Sequence, residues 1–167
     1  MADIFLKLEP PINGESLDTF HPQEIEVHDW SWGITNDAPL KMTGQEASTH
    51  TSSAECVIHK GVDAASSTLM QYCALGTPID KATLTCRKND GEYKLKYLVV
   101  EFTKVKIWDV QWATQGQEHG PTETLKLKFA HFHVQYKRQL NKGSSGGVGE
   151  FGFDLSEHEE SPGSKKK

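Results

Sequence analysis

Apolar and polar residues alternate along most of this chain, and that two-residue period predicts strands with one face buried. Asp3 to Leu8 is short and apolar-rich and stops at Pro10-Pro11, because proline cannot donate to a sheet ladder. Asn13-Gly14 marks a turn. Gln23 to Thr35 reads as a long strand with a change of phase. Ile25 and Val27 share one face, whereas Trp30, Trp32 and Ile34 share the other. A bulge near His28-Asp29 returns both sets to one core. The other solution is a strand buried on both faces at a subunit contact. Asn36 to Ser53 lacks the alternation and carries Pro39, Gly44 and a polar run from Ser48 to Ser53. A connection of that length is functional or disordered.

Ala54 to Lys60 resumes as a strand, with Ala54, Cys56 and Ile58 on one face. The spacing then changes to that of a helix, with Leu69, Tyr72 and Cys73 as its buried stripe. Asp63 and Ser66 are candidate N-caps, and Gly76 followed by Pro78 supplies the stop.

From Ile79 to Arg87 the alternation is clean: Ala82, Leu84 and Cys86 oppose Lys81, Thr83, Thr85 and Arg87. Asn89-Asp90-Gly91 predicts a hairpin turn, with Glu92 to Phe102 as the returning strand. Lys104 to Trp112 follows as a separate strand, with a phase change that predicts a bulge near Trp108-Asp109. Thr122 to Arg138 carries large apolar residues in both alternating sets, as long bent strands of small barrels do. Gly143 to Gly147 reads as a flexible stretch, Glu150 to Leu155 as a last short strand, and Ser156 to Lys167 as a disordered polar tail. About seven strands and one helix at these turn spacings predict a mainly β domain, a small β-barrel or a two-sheet β-sandwich.

Composition narrows the function. The 167 residues suit one domain plus a tail, and 36% hydrophobic with 25% charged residues is ordinary for a globular chain. The formal net charge is −5, and the only compact basic run is Lys165 to Lys167; no nucleic-acid partner is expected. Cys56, Cys73 and Cys86 are an odd set without a CxxC pair, read as reduced thiols that behave as small hydrophobes. No run reaches the roughly 18 apolar residues of a membrane-spanning helix, so no membrane insertion is expected. The first residues lack the basic and apolar regions of a cleavable signal.

Catalytic patterns are missing. His131 and His133 share a strand face, but no HExxH, HxxxH or Cys/His cluster accompanies them. Gly143-Ser144-Ser145-Gly146-Gly147 fits GxSxG in spacing but is linker-like, Gly147 to Gly152 fits GxGxxG within the same glycine-rich stretch and is a weak signal by itself, and there is no P-loop. Cys56 and Cys86 sit mid-strand rather than at activated, exposed positions. Glu24 and Glu26 are spaced for a solvated strand face. No metal, cofactor or enzymatic activity is expected. Trp30, Trp32, Trp108 and Trp112 are read as core or interface residues in preference to a ligand-stacking platform.

Several segments in order then resemble a known family. They are Ile4 to Leu8, Asn13-Gly14-Glu15-Ser16, Ile25 to Gly33 with its Trp30-Ser31-Trp32-Gly33, Lys60 to Leu69 before a helix ending at Gly76, Thr122 to Leu125, Tyr136, and a Gly-rich segment with Phe151. This series resembles Hcp, the haemolysin-coregulated protein of bacterial type VI secretion, over roughly residues 3 to 155. The departures are Pro10-Pro11, Phe20-His21-Pro22, and Phe151 where relatives often carry Trp.

The resemblance implies a small β-barrel with one α-helix packed on its side, spanning residues 1–155, with 156–167 as the tail. It implies homo-hexameric rings that stack into the inner tube of a contractile injector and carry or chaperone effectors. The implied partners are the VgrG spike, the contractile sheath and baseplate, and effector proteins. The implied location is the bacterial cytoplasm, then export without a cleavable signal peptide. On this reading Thr43, Gly44, Gln45, Glu46, Ser48 and Thr49 form a ring-stacking loop, and Trp30, Trp32, Phe132 and Tyr136 belong to the subunit interface or the core. Two other readings stay open: a monomeric β-rich ligand-binding module using the tryptophans, and a metal- or thiol-dependent enzyme.

Overall fold

The computed structural model describes residues 2–36, 51–53, 55–90, 93–114, 120–139, 145–156 and 159–160. Among them are twelve strands and one helix. Strand β1, Ala2–Glu9, turns Leu6 and Leu8 into the core. The predicted long strand that follows is three short pieces: β2 Ile25–Val27, β3 Asp29–Ser31 and β4 Ile34–Asn36. The phase change expected at His28 is real, and its cause is a change of partner. β2 pairs with β1, whereas β3 pairs with β6, Cys56–Gly61. β4 pairs with β5, Thr51–Ser53. Ile34, expected with the tryptophans on a buried face, is 46% exposed.

Helix α1 runs Ser66–Leu75 and buries Leu69, with Tyr72 and Cys73 packed more loosely on the core. The N-cap is Ala65, with no side-chain cap hydrogen bond, so neither candidate cap takes that role; instead Asp63 Oδ1 accepts from the Ala65 N–H at 3.0 Å and Ser66 Oγ accepts from the Asp63 N–H at 3.0 Å in the turn before the helix. Gly76, at φ 64, ends the helix, with Thr77 N–H reaching Tyr72 O at 3.0 Å. That left-handed turn favours glycine.

Next come β7, Pro78–Asp90, and β8, Tyr93–Ala113. β8 is one strand of 21 residues where the alternation predicted two. It bends at Lys104, whose φ is +53, and bulges between Ile107 and Asp109, at the predicted place. On one edge β8 exchanges partners, from β10 (His131–Gln139) at Leu98 to Thr103, to β9 (Thr122–Lys128) at Lys106 to Ala113. The single strand expected over 122–138 is therefore two successive strands broken at Phe129-Ala130, opposite the bend in β8. β11, Ser145–Asp154, begins within the glycine-rich stretch expected to be flexible, and β12, Glu159–Glu160, pairs with it inside the expected tail.

The ladder runs β12-β11-β10-β8-β7-β1-β2, while β8 also pairs β9, β9 pairs β6 and β6 pairs β3. Because β3 continues directly from β2, the sheet curls round a core closed through the chain itself. Leu6, Ile25, Ile58, Leu69, Leu84, Phe102, Ile107 and Leu125 fill that core. Among the described residues the fold is β-rich with a single helix against β8, as expected.

Candidate assembly surface

Two buried charged clusters fix the surfaces of this fold. In β6 the alternation that buries Cys56 and Ile58 also carries Lys60 inward, and its ladder partner on β9 is Glu123. Both are 0% exposed. The Lys60 ammonium donates to Gly61 O at 2.7 Å, Asp63 Oδ1 at 2.8 Å, Ser66 Oγ at 3.1 Å and Glu123 Oε1 at 3.3 Å. Trp112 Nε1 donates to the other Glu123 oxygen at 2.5 Å. This cluster ties the start of α1 to the β6–β9 ladder. Strand periodicity alone puts Lys60 and Glu123 on the core side, and that signal was available in the sequence.

The second cluster lies on the outer face of β1 and β7. Asp3, Phe5 and Lys7 alternate with the core residues Leu6 and Leu8, and Asp3 and Phe5 pair with Arg87 and Thr85. Arg87 was expected on the polar side of its strand, and it is, yet it is 1% exposed, with Asp18 of the segment after β1 closing over it. Arg87 donates twice to Asp18, at 2.9 and 2.6 Å, and once to Asp3 at 3.1 Å. The Asp18 hydrogen bond, with help from Asp3, holds the guanidinium above its ordinary pKa despite burial. The Arg87 guanidinium lies 4.9 Å from the Phe5 ring centre, and His21 stacks on Phe5 at 4.5 Å while meeting Glu24 at 2.7 Å. Gly14 is required here, since a Cβ would come within 2.7 Å of Glu24 O and Ile25 Cα.

The predicted interface or core residues divide. Phe132 is core, 2% exposed. Trp30 and Trp32 are half-buried, and Trp32 meets Phe132 edge-on at 4.7 Å and Phe102 at 5.4 Å. Tyr136 is 50% exposed on β10. Trp108 lies outside this group, with the ammonium groups of Lys126 and Lys128 5.3 and 4.4 Å from its ring centre. The tryptophans thus serve separate neighbourhoods. The predicted stacking residues Thr43, Gly44, Gln45, Glu46, Ser48 and Thr49 lie outside the described residues. Sequence reading missed Leu17, 96% exposed, and Phe20, 69% exposed.

The chemistry of the thiols is muted. Burial pushes Cys56 up to about 12, far from a thiolate at neutral pH. Burial also raises Cys86, against hydrogen bonds with Trp30 and Tyr97 that pull the other way. His131 meets Asp154 at 2.6 Å. Among the described residues no three His, Cys, Asp or Glu side chains converge as metal ligands, and no helix is long and apolar enough to cross a membrane.

The family model for the type VI secretion system effector Hcp matches residues 5–136. The chain belongs to the Hcp family. It is 30% identical over 155 residues to the protein hcp1 of Pseudomonas aeruginosa, covering 92% of this chain and 95% of that one. The crystal structure of Hcp1 from Salmonella typhimurium superposes with a TM-score of 0.77 at 30% identity, covering 95% of this chain and 98% of that one. A type VI secretion system effector from Yersinia pestis gives 0.74 at 30% identity, over 91% and 99%. A further type six secretion system protein gives 0.85 at 26% identity, over 96% and 100%. Hcp is a secreted tube protein of the type VI system and is not a known enzyme family.

Proposed function

We propose that this Hcp-family chain is the repeating subunit of a type VI secretion inner tube. Six copies form a ring, rings stack, and the stacked lumen carries or chaperones effectors on their way out of the bacterium. The supporting observation is the match to Hcp relatives over nearly the whole chain, joined to a surface that leaves large apolar side chains in water, Leu17, Phe20, Leu75, Val148 and Tyr136 among them. Large apolar side chains left exposed on a rigid β domain favour a partner surface over a solitary existence.

A heterologous contact that closes on itself makes a ring, and a second, weaker contact stacks the rings. The segment with Thr43, Gly44, Gln45, Glu46, Ser48 and Thr49 is assigned to the second. Its polar side chains suit a reversible contact. The VgrG spike, sheath, baseplate and effectors are the partners this role requires. Negative-stain imaging of the purified chain tests the assignment. Intact chain should give rings and stacks. Deletion of residues 43–48 should leave single rings and lower the stacked fraction at least several-fold; undiminished stacks from the deletion variant would overturn the loop assignment, and ringless fields from the intact chain would overturn the ring.

A further inference from the structure

The covering segment 10–24 is built rigidly for one that carries exposed apolar residues. Gly14 N–H donates to Gln23 O at 2.8 Å, Gln23 N–H to Ser16 O at 2.8 Å, and Ser16 N–H to Glu24 O at 3.2 Å. Asp18 N–H donates to Ser16 Oγ at 3.2 Å, and Phe20 N–H to Asp18 Oδ1 at 2.9 Å. The Asp18 carboxylate grips buried Arg87. Leu17 and Phe20 therefore flank an anchored residue, one on each side, with their side chains in water. Side chains whose backbone is ordered in advance lose little freedom on docking, and aromatic anchors of this kind carry much of an interface's energy.

A second apolar surface lies at the other end of the sheet. On β10 and β11, Phe132 pairs with Phe153, Val134 with Phe151, and Tyr136 with Gly149. These pairs share the core-facing side, because Phe132 is core and Val134 pairs with the buried Val100 of β8. The strip outruns the core that covers it, from Phe132 at 2% exposed to Phe151 at 38% and Tyr136 at 50%. Gly149 leaves open space beside Tyr136.

The two surfaces cannot meet within one molecule. Asp18 and His21 meet Arg87 and Phe5 on the outer side of β1 and β7, and the strip is on the core side of β10 and β11, towards the opposite end of the ladder. Their charges are complementary: exposed Glu15 and Glu26 accompany the first, and exposed Arg138 lies two residues beyond Tyr136 at the end of the second. Opposite charges of this kind set orientation and speed encounter.

We propose that Leu17 and Phe20 of one copy seat against Val134, Tyr136 and Phe151 of the next, and that this head-to-tail contact closes the ring. The inference rests on the ring reading above and names its contact. The test compares the intact chain, the variant Leu17→Asp/Phe20→Ser, the variant Tyr136→Lys, and an equal mixture of the two variants, by light scattering on a sizing column. The intact chain should run as a ring and each variant as a monomer with an unchanged far-UV spectrum. The mixture should stop at two chains, since it offers only one intact pair of surfaces. Rings from the Leu17→Asp/Phe20→Ser variant, or a mixture that stays monomeric, would overturn this contact while leaving the ring standing; a monomeric intact chain would remove both. If a variant misfolds, oxidised Leu17→Cys/Tyr136→Cys protein decides: a ladder of covalent multimers on a denaturing gel is expected, and monomers alone would refute the contact.

Discussion

Replacing Lys60 by methionine keeps the length of the side chain and removes its charge. The ammonium group has four partners, Gly61 O, Asp63, Ser66 and Glu123. Without it the fully buried Glu123 keeps, among the described residues, the Trp112 hydrogen bond alone, and the start of α1 loses its link to β6. Removing one partner of a buried ion pair costs about 3–5 kcal/mol, because a charge is left uncompensated in a poor solvent for it. Glu123→Gln is milder. It leaves Lys60 with Asp63, which at 14% side-chain exposure is partly hydrated, and an expected loss of about 1–3 kcal/mol. The double variant Lys60→Met/Glu123→Leu removes both charges and should recover part of the loss of Lys60→Met alone. At about 2–4 °C per kcal/mol for a domain of this size, Lys60→Met should melt about 6–20 °C lower than the parent. Urea unfolding followed by tryptophan fluorescence at fixed protein concentration gives the free energies directly. A loss below about 1 kcal/mol for Lys60→Met, against the 3–5 expected for an orphaned buried charge, would refute the reasoning, as would a double variant no more stable than the single.

Gly14→Ala forces a Cβ to 2.7 Å from backbone atoms of Glu24 and Ile25, and should cost about 1–3 kcal/mol in the same urea assay. The Cys56 thiol stays protonated to about 12 in the fold, against 9.0 as its ordinary value. Between those values the unfolded chain has lost a proton that the folded one keeps, so stability should fall as pH rises, by up to about 1.4 kcal/mol per pH unit from this group. Cys56→Val should flatten that slope in melts from pH 8 to 11, and an unchanged slope would contradict the assignment.

Much of the local pattern was legible in the sequence because it depends on neighbours in the chain. The Gly76 stop, the β7 alternation and the bulge at Trp108-Asp109 all follow from spacing and backbone preference. The long-range choices were not. Nothing near Lys104 says that β8 continues through it, because the bend is set by the exchange of β10 for β9 across the ladder. The break at Phe129-Ala130 has the same origin. Lys60 and Glu123 share strand parity with Ile58 and Leu125, yet burial of two opposite charges becomes readable only when β6 and β9 are known to pair. Arg87 looked like a solvated strand residue, and only the return of segment 10–24 over β1 and β7 buries it. Leu17 and Phe20 fell in a stretch with no alternation, where apolar residues carry no directional signal.

Ring closure, as proposed, requires six copies of this chain to associate with one another. The most direct measurement is the absolute molar mass of the purified chain by light scattering across a range of concentrations. Six times the 18.6 kDa of the chain, about 112 kDa, held constant on dilution, is the predicted result. A mass of 18.6 kDa that does not rise with concentration would contradict it.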